Sequence, residues 1–95
     1  MQNIILHVTY TCLPGKAEEF VTALKESGLQ ATVRAEDGCL QYDYHLSFEE
    51  RDTVVLIERW RDAAALAAHA AQPHMVQIAA MKEGRVTETK LNRYE

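Results

Sequence analysis

The spacing of apolar residues in this chain switches back and forth between two periods, and no other feature narrows its fold so far. Between Asn3 and Thr11 the period is two, with Ile4, Leu6, Val8 and Tyr10 on one side and Ile5, His7 and Thr9 on the other. That is the repeat of a strand, here apolar enough on both sides to be covered on both faces. Leu13-Pro14-Gly15-Lys16 has turn chemistry, and from Ala17 the spacing lengthens to three or four, through Phe20, Val21, Leu24, Gly28 and Ala31. One amphipathic helix is therefore predicted from Ala17 to about Ala35, stopped by Glu36-Asp37-Gly38. Period two returns over Cys39 to Leu46 and again over Thr53 to Trp60, with the charged segment Ser47 to Asp52 between them suited to a hairpin. Asp62 offers an N-cap for the alanine-rich stretch Ala63 to Gln72, Pro73 interrupts it, His74 to Lys82 resumes it, and Arg85 to Tyr94 alternates weakly as a last strand.

The resulting order is β-α-β-β-α-β, the ferredoxin-like α+β arrangement, in which an antiparallel sheet carries its helices on one face. At 95 residues the whole chain, 1–95, makes a single domain. The uncovered face must bury itself elsewhere, since an exposed apolar sheet surface of this kind marks an interface. A homodimer joined sheet to sheet is the expectation, with Leu40, Tyr42, Tyr44 and Leu46 or their opposites on the buried surface. A core this small holds little else, so a sizeable ligand pocket is expected to need a second copy to help wall it. Ten Lys and Arg against fourteen Asp and Glu give a net charge of −4, which supplies no basic stripe for nucleic acid. The longest apolar runs, Val54 to Ile57 and Ala63 to Ala68, fall far short of the roughly 18 to 20 residues of a membrane span. The N-terminal residues lack the basic start of a signal peptide, so a cytoplasmic protein is expected, and Cys12 and Cys39, without a metal-ligand spacing, are expected as free thiols.

With the elements in place, a set of short motifs becomes informative. Pro14-Gly15-Lys16 with Glu19-Phe20 opens the first helix, Glu36 to Tyr42 enters the second strand, Glu58-Arg59-Trp60 closes the third, and Leu66, His69 and Pro73-His74-Met75 lie in the second helical region. In order and spacing they resemble the antibiotic biosynthesis monooxygenase family, over about residues 4 to 91. The resemblance implies a dimeric α+β barrel. It also implies one of several activities: cofactor-free oxidation of quinols or polyketides, haem degradation, or isomerisation of a phosphorylated autoinducer. The residues used by the haem-degrading branch fall at His7, His69 and Ala79 and all differ in type, which argues against that activity. Trp60 matches a pocket Trp of the polyketide-oxidising branch, whereas Pro73-His74 is shared with the isomerases.

An oxygenase without flavin, haem or metal needs a base, because a phenol gives up an electron to dioxygen readily only as its anion. Histidine is suited to that task near neutral pH. His7, His69 and His74 are the candidate catalytic residues, expected to meet over the helix-facing side of the sheet, with Trp60, Glu58 and Tyr42 as candidate substrate contacts. Each also has a structural explanation: His7 as a core histidine, His74 as a helix-start residue, Trp60 as core and Tyr42 as interface packing. No metal is expected, since His69 and His74 are separated by five positions and a proline, with no carboxylate or Cys four residues on. No cofactor is expected either. The leading expectation is a homodimeric monooxygenase using dioxygen on small quinol-like aromatics. Beside it stand an isomerase of a small phosphorylated carbonyl compound, for which Arg34, Arg59 and Lys82 are the available cations, and a non-catalytic dimer that binds a small ligand.

Overall fold

A computed structural model describes residues 3–95. Its elements are β1 (Ile4–Cys12), α1 (Lys16–Glu26), α2 (Leu29–Arg34), β2 (Cys39–Leu46), β3 (Thr53–Trp60), α3 (Ala63–Ala70), α4 (His74–Lys82) and β4 (Val86–Tyr94). The strands form one antiparallel sheet in the order β2-β3-β1-β4. This is the ferredoxin-like α+β fold that the period switches predict.

Local chemistry accounts for the helix boundaries. Where the periodicity predicts one helix to Ala35, the chain makes two, because Gly28 adopts a left-handed φ of 80° and ends the regular hydrogen bonding of α1. α2 is then tied to the sheet from above: Gln30 Nε2 and Arg34 Nε both donate to the carbonyl of Tyr42, at 3.1 and 3.0 Å. Asp62 caps α3 by accepting from the Ala65 N–H at 2.9 Å. Pro73, which has no N–H to continue that helix, opens α4.

Alternation along β1 decides which face is which. Ile4, Leu6, Val8, Tyr10 and Cys12 are buried beneath the helices, with Val54, Leu56 and Trp60 of β3 beside them. Phe20 and Leu24 of α1 and Val33 of α2 close the core from above. Tyr42 and Tyr44 also belong to this layer, both buried, so of the two faces of β2 it is the opposite one, with Gln41 and Asp43, that looks outward. Register decides it, since Tyr42 pairs with Glu58 and Tyr44 with Leu56 on the helix-facing side, whereas a bulge between Cys39 and Gln41 makes Leu40 the extra residue, left 53% exposed. Ile5, His7, Thr9, Val55 and Ile57 look out from the other face, half-covered by their own neighbours. Both cysteines are free, Cys12 buried and Cys39 partly so. Among the described residues, no helix is long and apolar enough to cross a membrane.

Candidate active site

The chemistry-bearing side chains gather in the layer between sheet and helices, near the start of β2. Trp60 ends β3 fully buried, and its ring stacks on His69 of α3 with centroids 4.5 Å apart and an interplanar angle of 30°. Tyr42 meets the same imidazole edge-on at 5.8 Å. Glu58, two residues before Trp60 and so on the same face of β3, is 5% exposed and accepts from Trp60 Nε1 at 2.9 Å. Its Oε1 also lies 3.9 Å from His69 Nε2, beyond hydrogen-bond range but close enough to feel charge. Burial pushes the Glu58 carboxyl above the usual carboxylate range, against the opposing pull of its Trp60 bond and of His69.

A second carboxylate reaches the imidazole from the other side. Glu36 lies in the turn between α2 and β2, and its Oε2 stands 2.9 Å from His69 Nδ1 and 2.8 Å from His74 Nε2. The three side chains are only 9%, 6% and 14% exposed. A carboxylate therefore does accompany the two histidines, supplied from outside their helices, which is where the sequence spacing could not show it. Their donor atoms all lie within 4.8 Å of one another, the one such His/Cys/Asp/Glu set among the described residues able to share a metal ion. As they stand, the 2.8 and 2.9 Å separations are those of N–H···O bonds, shorter than the roughly 3.4 Å between two ligands of a tetrahedral ion bound at about 2.1 Å.

Tyrosines extend the polar strip along the sheet. The Tyr44 hydroxyl donates to that of Tyr42 at 3.3 Å, and Lys82 at the end of α4 places its ammonium 5.0 Å from the centre of the Tyr10 ring. Burial pushes the Tyr10 and Tyr42 phenols far up and that of Tyr44 to about 12. Desolvation lowers Lys82, partly offset by the charge of Glu58.

Of the expected site residues, the fold brings together His69, His74, Trp60, Glu58 and Tyr42, and leaves out His7. Because β1 alternates, His7 shares the open face with Ile5 and Thr9, where its ring packs edge-on against Tyr94 at 5.1 Å. The three candidate phosphate cations are also scattered: Arg34 is bonded to Asp43 at 2.6 Å, Arg59 is exposed on the open face, and Lys82 sits on Tyr10. A surface cavity of about 370 Å³, lined by Glu36, Arg61, Ala65, Ala68 and Gln72 among others, reaches the cluster at Glu36. A larger one of about 470 Å³ lies at the β2–β3 hairpin, beside Leu46, Phe48 and Asp52 and away from the histidines. Glu36 is the functional candidate the sequence reading missed, spent there on stopping a helix.

The sequence model of the family described as antibiotic biosynthesis monooxygenase matches residues 3–81. The chain belongs to that family. It is 35% identical over 71 residues to the Bacillus subtilis protein named "Putative monooxygenase YcnE", covering 75% of this chain and 73% of that protein. Among solved structures, Pseudomonas aeruginosa PA3566 superposes with a TM-score of 0.85 at 34% identity, covering 99% of this chain and 93% of its own. Shewanella oneidensis SO0527 gives 0.84 at 27%, covering 98% and 89%. The family match spans β1 to α4 and so includes every member of the buried cluster.

Proposed function

We propose that this family member is a monooxygenase that oxidises small quinol-like aromatic substrates with dioxygen, drawing the electrons from the substrate itself. One observation carries the reading: a buried imidazole, His69, stacked on the only tryptophan of the chain and flanked by Tyr42 and Glu58. In it His69 takes the phenolic proton, and the electron-rich anion then gives one electron to dioxygen. The resulting pair of radicals joins at a ring carbon as a peroxide anion. Loss of the hydrogen on that carbon with cleavage of the O–O bond leaves a new carbonyl, and the proton held by His69 completes the departing water. The sum is quinol plus dioxygen giving hydroxyquinone plus water. Trp60 and Tyr42 supply aromatic walls, and a dry site keeps the radical pair from side reactions.

The active unit in this reading is a homodimer, joined through the open sheet face. Ile5, Val55 and Ile57 lie at the centre of that face, ringed by Gln41, Asp43, Arg59, Lys90 and Asn92, an apolar middle with a polar rim as interfaces have.

Oxygen uptake against a panel of reduced quinols, corrected for autoxidation, tests the proposal. Protein-dependent uptake is expected, with one atom of labelled dioxygen in the product, falling about 100- to 10,000-fold in His69→Ala and by no more than about threefold in His7→Ala that sedimentation shows to be dimeric. Uptake equal to the protein-free control for every compound, or loss in His7→Ala with His69→Ala active, would overturn it.

A further inference from the structure

We infer that Glu36 is the positioning residue of this site, a single carboxylate that holds two histidines and thereby fixes which nitrogen of His69 is free to take a proton. The inference rests on the reading of His69 as the base, and it adds a residue to which neither sequence nor family name gives a role.

The geometry is specific to the way the chain breaks. In one continuous helix, residues 69 and 74 would stand about 140° apart around the axis, since five steps of about 100° make 500°. They could not then serve one acceptor. The interruption at Pro73 separates α3 from α4, and His74, at the first position of α4, turns back to the same oxygen that His69 reaches from the last turn of α3. Glu36 is itself held on both sides, its N–H donating to the Val33 carbonyl at 3.0 Å and its own carbonyl accepting from the Cys39 N–H at 3.1 Å. An ionised carboxylate only accepts, so each imidazole must turn a protonated nitrogen toward it. For His69 that nitrogen is Nδ1, which leaves the Nε2 lone pair on the side of Glu58 and Trp60.

Glu58 does not compete for the proton. Its Oε1 is already taken by Trp60 Nε1 at 2.9 Å and lies 3.9 Å from His69 Nε2, where no hydrogen bond forms. An unpartnered neutral histidine favours the opposite tautomer, protonated on Nε2, and would present a donor where the reaction needs an acceptor. Glu36 reverses that preference, the same logic by which a buried carboxylate orients the imidazole of a hydrolytic triad.

Nitrogen-15 spectra of the histidine rings read this directly, because protonated and unprotonated ring nitrogens resonate far apart, and the His69 signals are identified by their loss in His69→Ala. The full-length protein is expected to hold neutral His69 protonated at Nδ1. In Glu36→Ala it is expected to shift to the Nε2-protonated form, with Glu36→Asp restoring part of the original signal. Should Glu36→Ala not fold, by the fluorescence of Trp60, Glu36→Met keeps the volume and removes the acceptor. Against a quinol that is turned over, kcat is expected to drop about 100-fold with KM held within about threefold. A wild-type His69 protonated at Nε2, or a tautomer unmoved by Glu36→Ala or Glu36→Met, would overturn the assignment whether or not any quinol is oxidised. Absence of turnover with the expected tautomer shift would instead refute the oxygenase reading and leave Glu36 in its place.

Discussion

Replacing Gly38 by alanine strikes a close approach between the turn that precedes β2 and helix α3. Gly38 has a φ of 86°, and a Cβ added there would lie 2.4 Å from the Ala65 Cβ on α3. The left-handed backbone alone costs an alanine about 1 kcal/mol. Relieving the contact means pushing α3 outward by more than 1 Å to reach a separation of about 3.6 Å, an overpacking cost of about 2 kcal/mol. The sum, about 3 kcal/mol, lowers the melting temperature of a domain this size by roughly 12 to 24 °C. Urea unfolding followed by Trp60 fluorescence measures it cleanly, since Trp60 is the only tryptophan and is fully buried, with protein concentration held fixed because an oligomer's stability depends on it. Ala65→Gly should cost about 2 kcal/mol through helix propensity and a lost buried methyl. The double variant lacks the clash, so it should cost about 3 rather than the additive 5 kcal/mol, a coupling of about −2 kcal/mol. A loss below about 1 kcal/mol in Gly38→Ala, or additivity within about 0.5 kcal/mol, would refute the reasoning. Because α3 carries His69, the single variant should also loosen the His69–Glu36 bond.

Glu58→Gln should change how stability depends on pH. Burial raises the Glu58 pKa in the folded protein above its ordinary 4.5, so the native state holds a proton that the unfolded chain has released, and wild-type stability drains away as pH climbs from about 4.5 through the raised value. The variant lacks that loss, and urea midpoints from pH 4 to 8 should move in its favour with rising pH; a gap independent of pH would show that Glu58 does not titrate this way. Ile57→Lys places a charge in the middle of the open face, opposite His7 and Asp43, and should turn a dimer of about twice 10.8 kDa into a folded monomer by sedimentation. A monomeric wild type, or a variant still dimeric, would remove the sheet-to-sheet interface. In an alkaline titration, Tyr10, Tyr42 and Tyr44, all pushed up chiefly by burial, should ionise only as the chain unfolds, whereas phenolate absorbance from all three below pH 10 in the folded protein would contradict their packing.

Period alone determined the element order, because strands repeat every two residues and helices every 3.6, and the switches at Pro14-Gly15, Gly38, Asp62 and Pro73 are written in turn and cap chemistry. It also placed Trp60, Glu58 and Leu56 on one face of β3 without error, as an uninterrupted strand must. Faces became illegible wherever the alternation could be broken or inverted. A single bulge at Leu40 decoupled that residue from Tyr42 and Tyr44, and nothing in β1 itself told whether Ile4 or Ile5 looked toward the helices, so His7 was assigned to the wrong side. Gly28 looked tolerable inside a helix until its positive φ split α1 from α2. The candidate site shows the same division more sharply. His69, His74, Trp60 and Tyr42 were visible as residue types that carry chemistry, but Glu36 was visible only as part of a helix stop and as the head of the Glu36 to Tyr42 motif, with no chemical role in either. Its carboxylate acquires a role because the turn after α2 folds beneath α3 and α4, 33 and 38 residues away along the chain. Periodicity reports each element's own faces; a hydrogen bond across such separations depends on how the elements pack, and that is decided only when the core closes.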